Sequence, residues 1–348
     1  MKSTGIIVEY NPFHNGHLHH LKEIKKLFKD NIIIAVMSGN FTQRGDTSII
    51  DKWEKTKIAL KHGIDLVIEL PFQYATSSGD LFAKGALEIL NDLKIESIVF
   101  GSESNNIDML YKEANILLNT KITLKNNKSY ASNMFKKRNK PNDILGILYI
   151  KEIIKNNYNI KPVTIKRDSN YHSKNYNELS ALSIRESLKN NINIDNKLPY
   201  KFNYKPKFID DYFNLLKYKI LSTDDLNIYN GVDEGLDNRI KKAIFKSNSL
   251  DELINNIKSK RYTYSRIKRM LLHILVGYTK DDNKYYLNKN HIRILGFNDK
   301  GIKYLNQIKK DTKLSIYSTY NDELRLEYKV SSIYDNNSKN ELNKPIKL

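Results

Sequence analysis

The chain has 348 residues, 40% of them apolar and 28% charged, enough for about two domains of ~150 residues and a sizeable core. It contains no cysteine, which excludes disulfides, thiol nucleophiles and Cys-ligated zinc, and no stretch approaches the ~20 apolar residues of a membrane span. A formal net charge of +19 with 23 tyrosines points to an anionic partner, nucleic acid first, because Lys and Arg neutralise phosphates and aromatic rings stack on bases.

The opening "MKSTGIIVEYNPF" holds only a short apolar run, too short for a signal-peptide core of ~7–15 residues, so a cytoplasmic protein is expected. From there two periods alternate. "TGIIVEY" reads as a buried strand and "HLHHLKEIKKLF" as a helix. "NIIIAVMSG" is a second strand, and "DKWEKTKIALKHG" a helix stopped at Gly63. "DLVIELP" is a third strand ended by Pro71, "SGDLFAKGALEILNDL" a helix, and "SIVFGS" a fourth strand. Continuous apolar strands separated by helices predict an α/β fold, a doubly wound parallel sheet with right-handed crossovers. Ligands in such sheets bind beyond the carboxyl ends of the strands. The segments there are "NPFHNGH", "SGNFTQRGD", "PFQYATSSGD" and "GSESNN", which read as one polar rim.

Residues 121–174 hold 13 Lys/Arg against 3 Asp/Glu. Within them "NMFKKRNKPNDILGILYIKEI" reads as a basic loop leading into a helix, and "KPVTIKRD" as a strand. "SALSIRESLKN" reads as a helix with a capping box from Ser183 to Glu186. Beyond about residue 200 the alternation stops. "KFIDDYFNLLKYKIL", "SLDELINNIKS" and "YSRIKRMLLHILVGY" have helical spacing, with "HIRILGF" and "KLSIYS" as short strands among them. A catalytic domain over 1–200 and a mainly helical, basic C-terminal domain over 201–348 are expected, with a polar, loosely held end.

"EYNPFHNGHLHHL" places four histidines in one short stretch. Zinc wants His at i and i+4 on a helix with a carboxylate, or a longer His/Cys framework. Here Pro12 and Gly16 make a turn, and no direct protein ligation of a metal is expected. A turn that follows a strand and opens a helix suits a phosphate instead: free N–H groups and the positive helix end face an anion. Gly16 permits close approach of the backbone, and His14 and His17 can donate hydrogen bonds to phosphate oxygens. His19 and His20 read as the outer face of the helix.

The His-x-Gly-His pattern after the first strand resembles the nucleotidylyltransferase superfamily. The longer set "GIIVEYNPFHNGH", "MSGNFTQRGD", "DLVIELPFQYA", "FGSES", "PNDILGILYIKE", "ALSIRES", "RIKRMLLHILVGY" and "HIRILGFNDKG" is similar to the tRNA(Met) cytidine acetate ligases along nearly the whole chain. The resemblance implies a Rossmann-like nucleotidylyltransferase fold. It also implies a two-step reaction: ATP and acetate give acetyl-adenylate, which acetylates the exocyclic amine of the wobble cytidine of elongator tRNA(Met). Magnesium accompanies ATP in such sites; no membrane and no obligate protein partner are implied.

By the same resemblance His14 and His17 are catalytic. The nucleotide pocket comprises Ile7, Val8, Glu9, Tyr10, Asn11, Pro12, Phe13, His14, Asn15, Gly16 and His17, with Gly101, Asn142, Arg167 and Arg185. Asn40, Gln43 and Arg44 on the second rim loop are candidates for acetate or the incoming base. For tRNA the candidates are Lys136, Lys137 and Arg138, beside the proposed site, and Arg266 and Arg269, which with His273 lie off the apolar stripe of their helix. Two other functions fit parts of the pattern: a cofactor-type adenylyltransferase, and a non-enzymatic RNA-binding protein with a relic nucleotide fold.

Overall fold

A computed structural model describes residues 1–120, 140–167, 180–335, 342 and 344–348. Five parallel strands form the frame: β1 (Ser3–Val8), β2 (Ile32–Ser38), β3 (Leu66–Leu70), β4 (Ser97–Ser102) and β5 (Lys161–Lys166). Their spatial order is β5-β4-β1-β2-β3, with every neighbouring pair parallel. β2 and β3 are buried along their whole length, which is why they read as unbroken apolar runs. The order reverses between β1 and β4, and in sheets of this kind the crevice that takes a ligand lies there, beyond the carboxyl ends of the two strands.

The helices cover both faces. α1 (Asn15–Leu27) and α2 (Lys52–Lys61) pack one face, where Leu21, Ile24, Ile58 and Ala59 meet Ile6, Ile33 and Ala35. α3 (Phe72–Ala75) is a single turn after β3. α4 (Gly79–Asp92), α5 (Ile107–Asn119) and α6 (Pro141–Lys155) build the larger core on the other face. α7 (Ala181–Lys189) starts at Ser180, not Ser183. Ser180 is extended (φ −126°, ψ 148°) and its Oγ accepts the Ser183 N–H at 3.0 Å, so the cap lies one turn earlier than the Ser183–Glu186 spacing predicts.

The second half is helical, but it lends strands to the first. α8 (Phe213–Leu221), α9 (Leu236–Ile244), α10 (Leu250–Ile257) and α11 (Tyr264–Val276) share an apolar core into which Phe41 and Phe72 of the rim loops insert. After α12 (Lys280–Tyr286) the chain returns as β6 (Ile292–Phe297), which pairs antiparallel with β3. α13 (Asp299–Ile308), β7 (Ile316–Tyr317) and α14 (Arg325–Asp335) follow. The polar end is anchored as well: β8 (Ile346–Lys347) pairs with β6. "HIRILGF" and "KLSIYS", expected inside the helical domain, thus complete an eight-stranded sheet. β6 is buried on both faces, which gives its side chains the run of a central strand. Among the described residues no helix is long and apolar enough to cross a membrane.

Candidate active site

β1 feeds a turn whose Tyr10 is left-handed (φ 47°) and whose His14 caps α1. The cap is made by the imidazole: the Gly16 N–H donates to His14 Nδ1 at 3.0 Å. A Cβ on Gly16 would sit 2.8 Å from His14 Cε1, so glycine is what lets the ring lie back over the helix end. The His14 N–H in turn donates to His17 Nδ1 at 3.3 Å, and the two rings stack with centroids 3.8 Å apart. Both Nδ1 atoms act as acceptors, so both protons reside on Nε2.

Burial, reinforced by the charges of Arg167 and Arg185, lowers His14 to about 3. Burial, His14 and Arg167 lower His17 as well. The pair is therefore neutral at pH 7 and offers two Nε2–H donors without fixed charge. Tyr10 and Phe13 form the apolar floor, each within 6 Å of the His17 ring. Ile7, Val8 and Glu9, half-exposed, edge the crevice, and Asn15 is tied to the Asn196 carbonyl at 3.1 Å.

Two arginines converge on this turn. Arg185 Nη1, on α7, donates to the Asn11 carbonyl at 2.8 Å. Arg167, just past β5, reaches Asn142 Oδ1 at 3.4 Å. Its stem lies across Gly101 at the end of β4, where a Cβ would be 2.7 Å from Arg167 Cδ. Asn142 occupies the first turn of α6 and donates through Nδ2 to Glu103 Oε1 at 2.6 Å; Glu103 also accepts the Asp143 N–H at 3.0 Å. Gly101, Asn142, Arg167 and Arg185 thus border the same crevice as the histidines. Glu103 belongs with them and was missed, although it stands in the rim string "GSES". Asn11 and Pro12 are buried in the turn: the Asn11 side chain donates to the Thr47 carbonyl at 2.9 Å and accepts the Ile49 N–H at 2.8 Å, stitching β1's rim to the second loop.

The second loop is held more tightly than its polarity suggested. Asn40 is buried, with Oδ1 accepting the Lys52 N–H and Nδ2 donating to Ser331 Oγ, so both ends of its amide are engaged inside the protein. The Gln43 N–H donates to Glu9 Oε1 and its Nε2 to the Ser77 carbonyl; Arg44, half-buried, follows. Arg269 of α11 clamps this loop: its Nη1 donates to the Gln43 carbonyl at 3.0 Å, and Gly45 packs directly on the Arg269 backbone. His273 is buried between Thr76 and Asn230. Arg266 lies over the Tyr262 ring at 4.7 Å. The predicted phosphate stripe on α11 is in large part an internal seam, because this helix faces the rim loop as well as its own core. Lys136, Lys137 and Arg138 lie outside the described residues. His20, read as surface, has a buried Nε2, and burial and Arg167 lower it to about 4.

Among the described residues no group of three His, Asp or Glu side chains could hold a metal ion. The arrangement can bind an anion at a helix start with neutral donors backed by guanidinium groups.

The comparisons agree along the full length. Residues 1–346 match the family described as HIGH Nucleotidyl Transferase. A tRNA(Met) cytidine acetate ligase of Caldicellulosiruptor saccharolyticus is 41% identical, with 96% of this chain and 94% of the relative covered. One of Clostridium kluyveri is 40% identical over 98% and 96% of the two chains. The crystal structure of Thermotoga maritima TmcAL bound with alpha-thio ATP superposes with a TM-score of 0.89 at 31% identity, covering 100% of both chains. With relatives of this likeness matched from end to end, the chain belongs to the HIGH nucleotidyl transferases and, among them, to the tRNA(Met) cytidine acetate ligase family.

Proposed function

We propose that the protein is an ATP-dependent acetate ligase that converts the wobble cytidine of elongator tRNA(Met) to N4-acetylcytidine. An acetate oxygen attacks the α-phosphorus of ATP, the bond to the bridging oxygen breaks, and pyrophosphate leaves. The cytidine amine then attacks the acetyl carbonyl, AMP leaves, and the nitrogen loses a proton. Neither step needs a protein nucleophile, in keeping with a chain that has no cysteine. Catalysis is positioning plus stabilisation of charge on the phosphates.

The observation that carries the reading is the stacked His14–His17 pair at a helix start, fixed by backbone N–H groups in the tautomer that carries its proton on Nε2. These donors would bind phosphate oxygens at the α-phosphorus, while Arg167 and Arg185 supply the positive field. Gly101, Asn142 and Glu103 would edge the nucleotide. Magnesium, whose role is to neutralise phosphate charge, would arrive with the nucleotide. Residues 201–348, with 29 Lys/Arg against 18 Asp/Glu, would supply much of the tRNA surface.

The test is incubation with total tRNA, ATP and labelled acetate, followed by mapping of the labelled nucleoside. Label in a cytidine of tRNA(Met) is expected; label absent from cytidine sinks the proposal. ATP–pyrophosphate exchange stimulated by acetate separates this enzyme from a cofactor adenylyltransferase, whose exchange would require a nucleotide-type acceptor.

A further inference from the structure

The rim of the crevice is tied to a group that lies outside the histidine turn and the arginines. Lys55 sits on α2, only 1% exposed, with its ammonium beneath the carboxyl ends of β1 and β2. Nζ donates to the carbonyls of Glu9 at 2.9 Å, Ser38 at 2.7 Å and Gly39 at 2.8 Å. A protonated lysine has three N–H donors, and these three carbonyls take one each. An unprotonated amine has only two N–H groups and would leave one buried carbonyl facing a lone pair.

The three acceptors are the places where the two central strands stop and their loops begin. The Glu9 carbonyl belongs to the peptide that enters Tyr10, the left-handed residue (φ 47°). Holding that peptide plane fixes the turn that carries Phe13, His14 and His17. Left-handed backbone at a tyrosine is unfavourable and persists only where its surroundings enforce it. The Ser38 and Gly39 carbonyls begin the second loop, which returns to the first through Gln43 N–H to Glu9 Oε1 and through Asn11 to Thr47 and Ile49. Lys55 is thus hydrogen-bonded just past the ends of both strands, through main-chain oxygens alone.

Its neighbour Lys52, one turn earlier, has a different task. Lys52 meets the Glu69 carboxylate at 2.7 Å, and Arg293 meets the same carboxylate at 3.0 Å. The charged groups around Lys55 are Glu9, Glu69, Asp51 and Lys52, and burial outweighs the three carboxylates to lower Lys55 to about 7. Three main-chain acceptors in a buried place, one for each N–H of the charged form, are built to hold geometry.

We propose that Lys55 is a positioning residue of the adenylation site, locking the β1 and β2 rims so that His14 and His17 meet the phosphates in register. This rests on the ATP-dependent reading of the site. The experiment compares wild type, Lys55→Met and Lys55→Arg by ATP binding in calorimetry, acetate-dependent ATP–pyrophosphate exchange and thermal unfolding, with rates taken well below each melting temperature. Lys55→Met is expected to weaken ATP binding about tenfold and to lower exchange kcat about 100-fold, the scale of a 1 Å misplacement. Lys55→Arg, which keeps the charge and donors, is expected to recover most of both. If Lys55→Met lowers only the melting temperature, with ATP affinity and kcat of the folded enzyme intact, Lys55 is merely structural and the proposal fails. Failure of arginine to recover more than methionine also overturns it. Should wild type bind ATP yet exchange pyrophosphate without regard to acetate, the acetate reading falls, and the ATP-affinity comparison still decides the role of Lys55.

Discussion

His14 performs two tasks with its two ring nitrogens, and they can be separated. Nδ1 caps α1 by accepting the Gly16 N–H, and Nε2–H is left for a ligand. Asparagine is a good N-cap and is too short to reach where Nε2 reaches. His14→Asn is expected to retain nearly all stability while losing about 100-fold or more in acetate-dependent exchange; His14→Ala should lose the same activity plus about 1 kcal/mol of stability. Equal melting temperatures for the two variants, or an active His14→Asn enzyme, would contradict this division. The tautomer is open to direct observation: imidazole nitrogen NMR at pH 7 should show both His14 and His17 protonated on Nε2, with no imidazolium signal. The turn itself was legible, because Pro12 and Gly16 between an apolar strand and an amphipathic stretch mark a strand-to-helix junction, and His14 and His17 do stand there. Lys55 was not singled out. Its position repeats Lys52 and Ala59 on the buried side of α2, but a lysine on a core-facing stripe does not say in sequence what its ammonium meets.

Two rim glycines predict opposite outcomes for the same alanine substitution. At Gly45 the backbone is left-handed (φ 77°), and a Cβ would lie 2.6 Å from the Arg269 nitrogen and 2.7 Å from the Lys268 carbonyl carbon. Both obstacles are main chain of α11, so Gly45→Ala must move the loop or the helix and is expected to cost roughly 2 kcal/mol or more. At Gly101 the obstacle is the Arg167 stem, which can swing away. Gly101→Ala is therefore expected to unfold within a few degrees of wild type but to lose exchange activity as Arg167 leaves Asn142. A large stability loss at Gly101, or none at Gly45, would show that the contacts are not as described. The first four strands and their helices could be read from the alternation of apolar runs with amphipathic ones. The return of β6 could not, because pairing with β3, 224 or more residues away in sequence, leaves no local trace (Leu66 opposite Phe297 through Glu69 opposite Arg293). The clamp between α11 and the second loop was hidden for the same reason, and its arginines looked like a surface stripe.

Charge and protonation across the fold set how the protein responds to pH. Burial holds His14 at about 3 and His20, His273 and His291 at about 4, against about 6.5 in an unfolded chain. Between those values the unfolded chain binds protons that the folded one refuses, so stability is lost as pH falls from about 6.5 toward 3. Glu327 on α14 works in the other direction. Burial, with Glu69 adding to it against Arg293 and Lys52, raises its carboxyl to about 7. One oxygen accepts the Phe72 N–H at 3.2 Å and the other is buried without a partner. Here the folded protein keeps a proton the unfolded chain releases, so this contribution is lost as pH rises from about 4.5 to about 7. The two trends oppose each other between pH 4.5 and 6.5 and flatten the profile. Glu327→Gln retains an oxygen for the Phe72 N–H and cannot ionise. Its melting temperature is expected to climb more steeply with pH across that window than that of wild type, and to exceed it at pH 7. Parallel melting curves from pH 4.5 to 7 would mean that Glu327 does not hold its proton in the folded protein.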